Sequence, residues 1–269
     1  MKNKIIVLDV DGTLLPSNNI PDRETVSYLQ ELEQNNMVVL ASSRGYHDLV
    51  VIHDKYGLEG PIISNNGGAL DFFDGKEGVT MSIQVERIKS IFTKTKDVII
   101  SAFYSYKQKL FIYNKLDILS FLYKINDDSI LIEGEFDKID LECPNSIYFI
   151  LKNNEKEKFF NEVKKYEDEI SLTEYGHDKD HSITILTLKN TNKAYAVLEL
   201  LLLMGKKEED LIIFGDGEVD IPMLGLNGIT VAMCNASVEV KKQAKYISEF
   251  DNNHQGVLKF LQKIENENI

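Results

Sequence analysis

The feature that most constrains the fold is a pattern used twice: a short, purely apolar run that stops in aspartate and glycine. Near the N-terminus, "IIVLDVDGTL" puts Asp9 and Asp11 just after residues 5–8, and far downstream "LIIFGDGEVD" puts Asp216 and Asp220 just after residues 212–214. An apolar run without polar alternation suits a strand buried on both faces, as in a parallel sheet covered by helices. Such a sheet lines up the carboxyl ends of its strands along one edge, where open α/β folds bind ligands.

The intervening sequence supplies the rest of that sheet. "IPDRETVSYLQELEQN" sets Pro21 at a helix start, with Val26, Leu29 and Leu32 at helical spacing. "MVVLASSR" predicts a second strand running into Ser42, Ser43 and Arg44, residues 46–56 a helix, and "PIISNNGGALDFF" a third strand with an Asn/Gly turn. From about residue 82 the texture shifts to alternating, aromatic-rich segments such as "IISAFYSYKQKLFIYNK" and "SITILTLK", mixed with the amphipathic "NEKEKFFNEVKKY". The first texture returns after Leu188, where "VLELLLLM" reads as a buried helix, and the chain closes with a helix from about His254. The expected architecture is α/β: a doubly wound, Rossmann-like parallel-sheet core, residues 1–81 and 188–269, interrupted by an α+β cap at 82–187.

A chain of 269 residues can hold such a split core. With 43% hydrophobic and 27% charged residues it is a globular composition, and the net charge of −13 argues against nucleic acid or an acidic membrane surface as partner. No run approaches 18 apolar residues and no signal-peptide pattern precedes the first strand, so a cytoplasmic protein is expected. Cys143 and Cys234 stand far apart and form no metal-ligand or disulfide pattern, and the histidines show no zinc spacing.

If both acid-terminated strands are central, Asp9, Asp11, Asp216 and Asp220 converge. Two carboxylates about 4 Å apart repel by roughly 4 kcal/mol even at an effective dielectric near 20, so the cluster holds a proton or a cation. Oxygen ligands suit Mg²⁺, which shares its shell with phosphate oxygens. A bound cation would turn the repulsive cluster into a site that attracts a phosphate dianion.

Here the sequence resembles the haloacid dehalogenase superfamily of phosphotransferases, through "DVDGTL", "SSR", Lys193 and "GDGEVDIPML", with the insert where the Cof-type subfamily carries its cap. The resemblance implies a Mg²⁺-dependent phosphatase that forms an aspartyl-phosphate, with a small phosphorylated metabolite as its partner and sugar phosphates as the first substrate class. It makes Asp9 the nucleophile and Asp11 the general acid and base, a strand placing residues two apart on one side. It assigns Ser42 to a phosphoryl oxygen and Lys193 to the developing charge. It gives the metal to Asp9, Asp216, the Asp11 backbone carbonyl and Asp220, and it makes Ser43, Arg44 and Asn66 candidates for substrate contact. The cap would exclude water and set specificity. Val219 stands where the subfamily usually has Asn, Ser42 and Ser43 replace a Thr-Gly pair, and Ala194 replaces a glycine. Phosphoryl transfer to another alcohol, or a phosphate-binding module with weakened turnover, remain alternatives at this level.

Overall fold

The computed structural model describes residues 1–116 and 129–267. The chain enters through β1 (Ile5–Asp9), buried at every position, and continues into α1 (Arg23–Glu33) and β2 (Met37–Ala41), which pairs in parallel with β1 so that Asp9 lies opposite Ala41. The α1 helix starts two residues after Pro21, because the Asp22 carboxylate accepts from the Thr25 N–H at 3.0 Å and is the cap. Next come α2 (Tyr46–Tyr56) and the parallel β3 (Ile62–Ser64), after which the chain reverses into β4 (Ala69–Asp71) and the short β5 (Val79–Thr80).

A second unit follows, with α3 (Val85–Thr95), β6 (Ile99–Tyr106), β7 (Lys109–Tyr113), β8 (Ile130–Glu133), β9 (Ser146–Lys152), α4 (Lys156–Val163), β10 (Ile170–His177) and β11 (His181–Leu188). Its strands form a sheet in the order β10-β11-β9-β6-β7-β8, antiparallel except for the β7/β8 pair. Strand alternation sends Tyr104 and Phe111 to one face, where their stacked rings join Phe92, Phe136, Phe149 and Phe159 in the core of this unit. Phe103, Leu110, Ile112 and Ile150 cluster separately.

The chain then returns through α5 (Lys193–Met204), β12 (Leu211–Gly215), α6 (Ile221–Leu224), β13 (Ile229–Ala232), α7 (Val238–Lys241), β14 (Tyr246–Ile247) and α8 (Gly256–Glu267). Contacts divide the chain into one unit of Met1–Arg44, Leu49–Val79 and Asn192–Ile269, and another of Gly45–Asp48 and Thr80–Thr191. The larger sheet runs β14-β13-β12-β1-β2-β3-β4-β5. From β1 the chain steps outward through β2 and β3, and after the insertion it resumes on the other flank at β12, so β1 and β12 meet where the winding reverses. Their fully buried Ile and Leu side chains each contribute about 1.5–3 kcal/mol on leaving water, enough to fix these two strands at the centre.

The α5 helix departs from expectation. Val197, Leu200 and Leu201 are buried on the sheet, but Leu198, Leu202 and Leu203 are 42%, 75% and 51% exposed. A helix on the outside of a single sheet can bury only one face, and an unbroken leucine run conceals which face that is.

Candidate active site

The reversal between β1 and β12 puts the two acid-bearing strand ends side by side, Leu8 opposite Phe214. Past Asp9 the backbone doubles back: the Leu14 and Leu15 N–H groups donate to the Val10 carbonyl at 3.1 and 2.8 Å. Tyr56 Oη and Asn252 Nδ2 pin this turn from behind, donating to the Leu14 and Leu15 carbonyls. Gly12 sits in the turn at φ +84°, and a Cβ there would lie 2.3 Å from Asp216 Oδ2. Only glycine allows both that φ and that approach.

Asp9 is buried, and Lys193 Nζ donates to its Oδ1 and, at 2.7 Å, to Asp220 Oδ1. The lysine opens α5 because the Asn192 side chain caps that helix, accepting from the Tyr195 N–H at 3.0 Å. The Asn/Gly turn after β3 seats against this cap, since a Cβ on Gly67 would stand 2.1 Å from the Asn192 carbonyl oxygen. Asp220 is equally enclosed, and its Oδ2 accepts from the Asp216 and Gly217 N–H groups at 3.0 and 2.9 Å. Asp216 receives Thr13 Oγ1 on Oδ1 at 2.8 Å and Asn235 Nδ2 on Oδ2 at 3.3 Å.

Oxygens of Asp9, Asp216 and Asp220 fall within 4.8 Å of one another. Asp11 does not point into this group. Its carboxylate is more than half exposed and takes both prongs of the Arg44 guanidinium, Nε to Oδ2 at 2.7 Å and Nη2 to Oδ1 at 2.6 Å. Ser42 lies buried at the end of β2, its Oγ accepting from the Arg44 N–H at 3.1 Å, while Ser43 faces solvent. Asn66, at φ 54° and ψ 40°, anchors its N–H on the Ser42 carbonyl at 3.0 Å and leaves a buried Oδ1 without a partner among the described residues.

The charges do not balance locally: one ammonium faces three carboxylates. Burial pushes the Asp9 carboxyl up to about 7, Lys193 opposes the rise, and Asp220 and Asp216 add to it. Burial also raises Asp216, and the neighbouring Asp220 charge adds to the rise. Burial alone would lower Lys193, but Asp9 and Asp220 outweigh it and hold the lysine above its ordinary range, as a cation. The donors therefore fit a hard metal ion, which would relieve the repulsion among these clustered carboxylates. Asp9, Asp216 and Asp220 are the carboxylates whose oxygens lie close enough together to hold it.

Asn235 escaped sequence reasoning, although it stands two residues past the apolar "GITVAM" run. Besides Asp216 it donates to the Gly12 carbonyl at 2.9 Å. Val219 is half exposed.

A sheet reversing beside a lysine-clamped aspartate and a carboxylate cluster defines a class, and comparison with known proteins gives the same one. Residues 6–261 match the haloacid dehalogenase-like hydrolase family, to which the chain belongs. It is 28% identical to the Mycoplasma genitalium protein MG265, named only as a candidate phosphatase, over 98% of this chain and 99% of that one. It is 26% identical to the 5-amino-6-(5-phospho-D-ribitylamino)uracil phosphatase YbjI of Escherichia coli, over 98% of this chain and 97% of that protein. A haloacid dehalogenase-like hydrolase from Bacteroides thetaiotaomicron superposes with a TM-score of 0.79 at 25% identity, covering 98% of this chain and all of the other. With these relatives the chain is a phosphoric monoester hydrolase of that family. Among the described residues, no helix is long and apolar enough to cross a membrane.

Proposed function

We propose that the protein is a Mg²⁺-dependent phosphatase of small phosphorylated metabolites, sugar phosphates first among them, acting through an aspartyl-phosphate on Asp9. The observation that carries this is the Asp9 carboxylate, buried at the end of a central strand and held on one oxygen by a buried ammonium. That clamp orients a nucleophile and places positive charge where phosphoryl transfer accumulates negative charge. Bound Mg²⁺ would neutralise the carboxylate cluster and the incoming phosphate.

The chain's own groups supply the rest. The Ser42 hydroxyl accepts from the Arg44 N–H, so its proton is available to a phosphoryl oxygen. Asp9 attacks phosphorus, the bond to the leaving oxygen breaks, and Asp11 protonates that oxygen. Asp11 then removes a proton from water as the acyl phosphate is hydrolysed, which regenerates Asp9 and releases phosphate. In the free protein the Arg44 guanidinium engages both oxygens of Asp11 in a two-pronged pair. A phosphate dianion competes strongly for that guanidinium, so substrate arrival would release the Asp11 side chain to turn toward the leaving oxygen. Ser43 and Asn66 are the remaining candidate substrate contacts on the β2 and β3 loops. The inserted 82–187 segment would select the leaving group.

The test is phosphate release from a panel of sugar phosphates, nucleotides and an aryl phosphate, in Mg²⁺ or EDTA, by wild type and Asp9→Asn. Release that needs Mg²⁺ and disappears in the variant is expected. Release that persists in Asp9→Asn would overturn the aspartyl-phosphate route.

A further inference from the structure

We propose that Asn235 is a positioning residue for the cation site: its carboxamide ties the Gly12 turn to the Asp216 carboxylate and thereby sets the affinity for the divalent ion. The inference rests on the metal-dependent reading above and assigns a role to a residue outside the cluster of acids.

One nitrogen, Nδ2, has two hydrogens, and the structure gives each an acceptor: Gly12 O at 2.9 Å and Asp216 Oδ2 at 3.3 Å. These acceptors belong to different strand ends, one in the turn after β1 and the other after β12. Thr13 Oγ1 holds the other oxygen, Asp216 Oδ1, at 2.8 Å, and Asp220 Oδ2 holds the Asp216 backbone N–H at 3.0 Å. The Asp216 carboxylate is thus gripped on both oxygens and at its own backbone. No other side-chain donor on Asp216 Oδ2 competes with the carboxamide in the described residues.

The platform carrying Asn235 is itself fixed. Met233 N–H donates to the Gly215 carbonyl at 3.0 Å, Ala236 N–H closes a turn on the Met233 carbonyl at 3.0 Å, and Lys241 Nζ donates to the Cys234 carbonyl at 2.6 Å. Asn235 itself is exposed, so packing does not explain its placement. The chemistry does: serine has one hydrogen to give, aspartate has none when ionised, and alanine has no polar group. A carboxylate ligand whose outer hydrogen bonds are removed loses orientation, and such losses lower metal affinity by about 10- to 100-fold.

The experiment measures Mn²⁺ binding to the full chain by electron paramagnetic resonance, for wild type, Asn235→Ala and Ser237→Ala. Ser237 lies in the same connection but caps α7, accepting from the Val240 N–H, and touches neither Gly12 nor Asp216. The expected result is a Mn²⁺ dissociation constant raised at least about 10-fold in Asn235→Ala and unchanged in Ser237→Ala. Equal Mn²⁺ binding by Asn235→Ala and wild type would overturn the inference. An equal loss in Ser237→Ala would overturn it too, because the connection rather than the amide would then be responsible. Wild type that binds no Mn²⁺ would bring down the metal-dependent reading itself, and this inference with it.

Discussion

Lys193→Met replaces the buried ammonium by an apolar chain of similar length, and its cost can be worked from the site. The substitution leaves Asp9, Asp216 and Asp220 with oxygens no farther than 4.8 Å apart and no cation among them. At an effective dielectric near 20, each ionised pair at that distance repels by about 3.5 kcal/mol. The folded protein would relieve this by taking up a proton, which for a carboxyl of ordinary pKa near 4 costs about 4 kcal/mol at pH 7 and so caps the penalty. Breaking a buried pair by removing one partner costs about 3–5 kcal/mol, in agreement with that cap. Urea unfolding at pH 7 in EDTA should show a loss of this size. Millimolar Mg²⁺ should then stabilise the variant more than wild type, because a cation binds more tightly where the lysine is missing; saturation to 100 times the dissociation constant is worth about 2.7 kcal/mol. Phosphate release should fall by at least about 100-fold even in Mg²⁺, the size seen when one charge-stabilising donor is lost. An unchanged urea midpoint in EDTA would refute the reasoning, since it would mean the three carboxylates do not sense the lysine.

Gly12→Ala should lose stability by at least about 1–2 kcal/mol from its left-handed φ alone, and lose activity because the new Cβ displaces the Asp216 carboxylate; thermal unfolding and phosphate release check both. Arg44→Met removes a pair that is half exposed on the Asp11 side, so stability should change by no more than about 1 kcal/mol while KM rises, which steady-state kinetics will show. In the inserted unit, burial pushes Glu162 up, but Lys165 and Lys94 hydrogen bonds prevail and hold its carboxyl below the usual range. A lowered folded pKa means a contribution fully present above the ordinary carboxylate range and lost as pH falls through the folded value. Glu162→Gln should therefore flatten the acid limb of the stability-pH curve, and an unchanged limb would count against the pair.

The central strands were legible because nothing but double burial explains four apolar residues in succession, and β1 and β12 emerged where their sequences placed them. Their adjacency was not written in either run; it comes from the chain resuming on the far flank of β1 after the insertion. The acids at both strand ends announced the cluster, yet which of them join it was hidden. Whether Asp11 faces Asp9 or Arg44 depends on a contact 33 residues away that no local spacing encodes. The pins behind the turn were equally silent, since Tyr56, Asn252 and Asn235 look in sequence like ordinary helix and loop residues. In α5 the continuous leucines erased the periodicity that would have told the buried face from the exposed one.

The opposite surroundings of Asp9 and Asp11 follow from the turn that separates them. Up to Asp9 the chain is still a strand, flanked by β2 and β12, so its carboxylate is sealed in the sheet edge with Lys193. Two residues on, the backbone is already doubling back at Gly12, and Asp11 is carried out to where solvent and Arg44 reach it. A nucleophile benefits from being dry, clamped and short of hydrogen-bonding water, whereas a proton carrier must exchange its proton with solvent between turnovers. Moving the turn one residue earlier would put both carboxylates outside, and one residue later would bury both beside a single lysine. The glycine at position 12, required by its φ and by the proximity of Asp216, is therefore what lets two identical side chains so close in sequence occupy environments suited to different tasks.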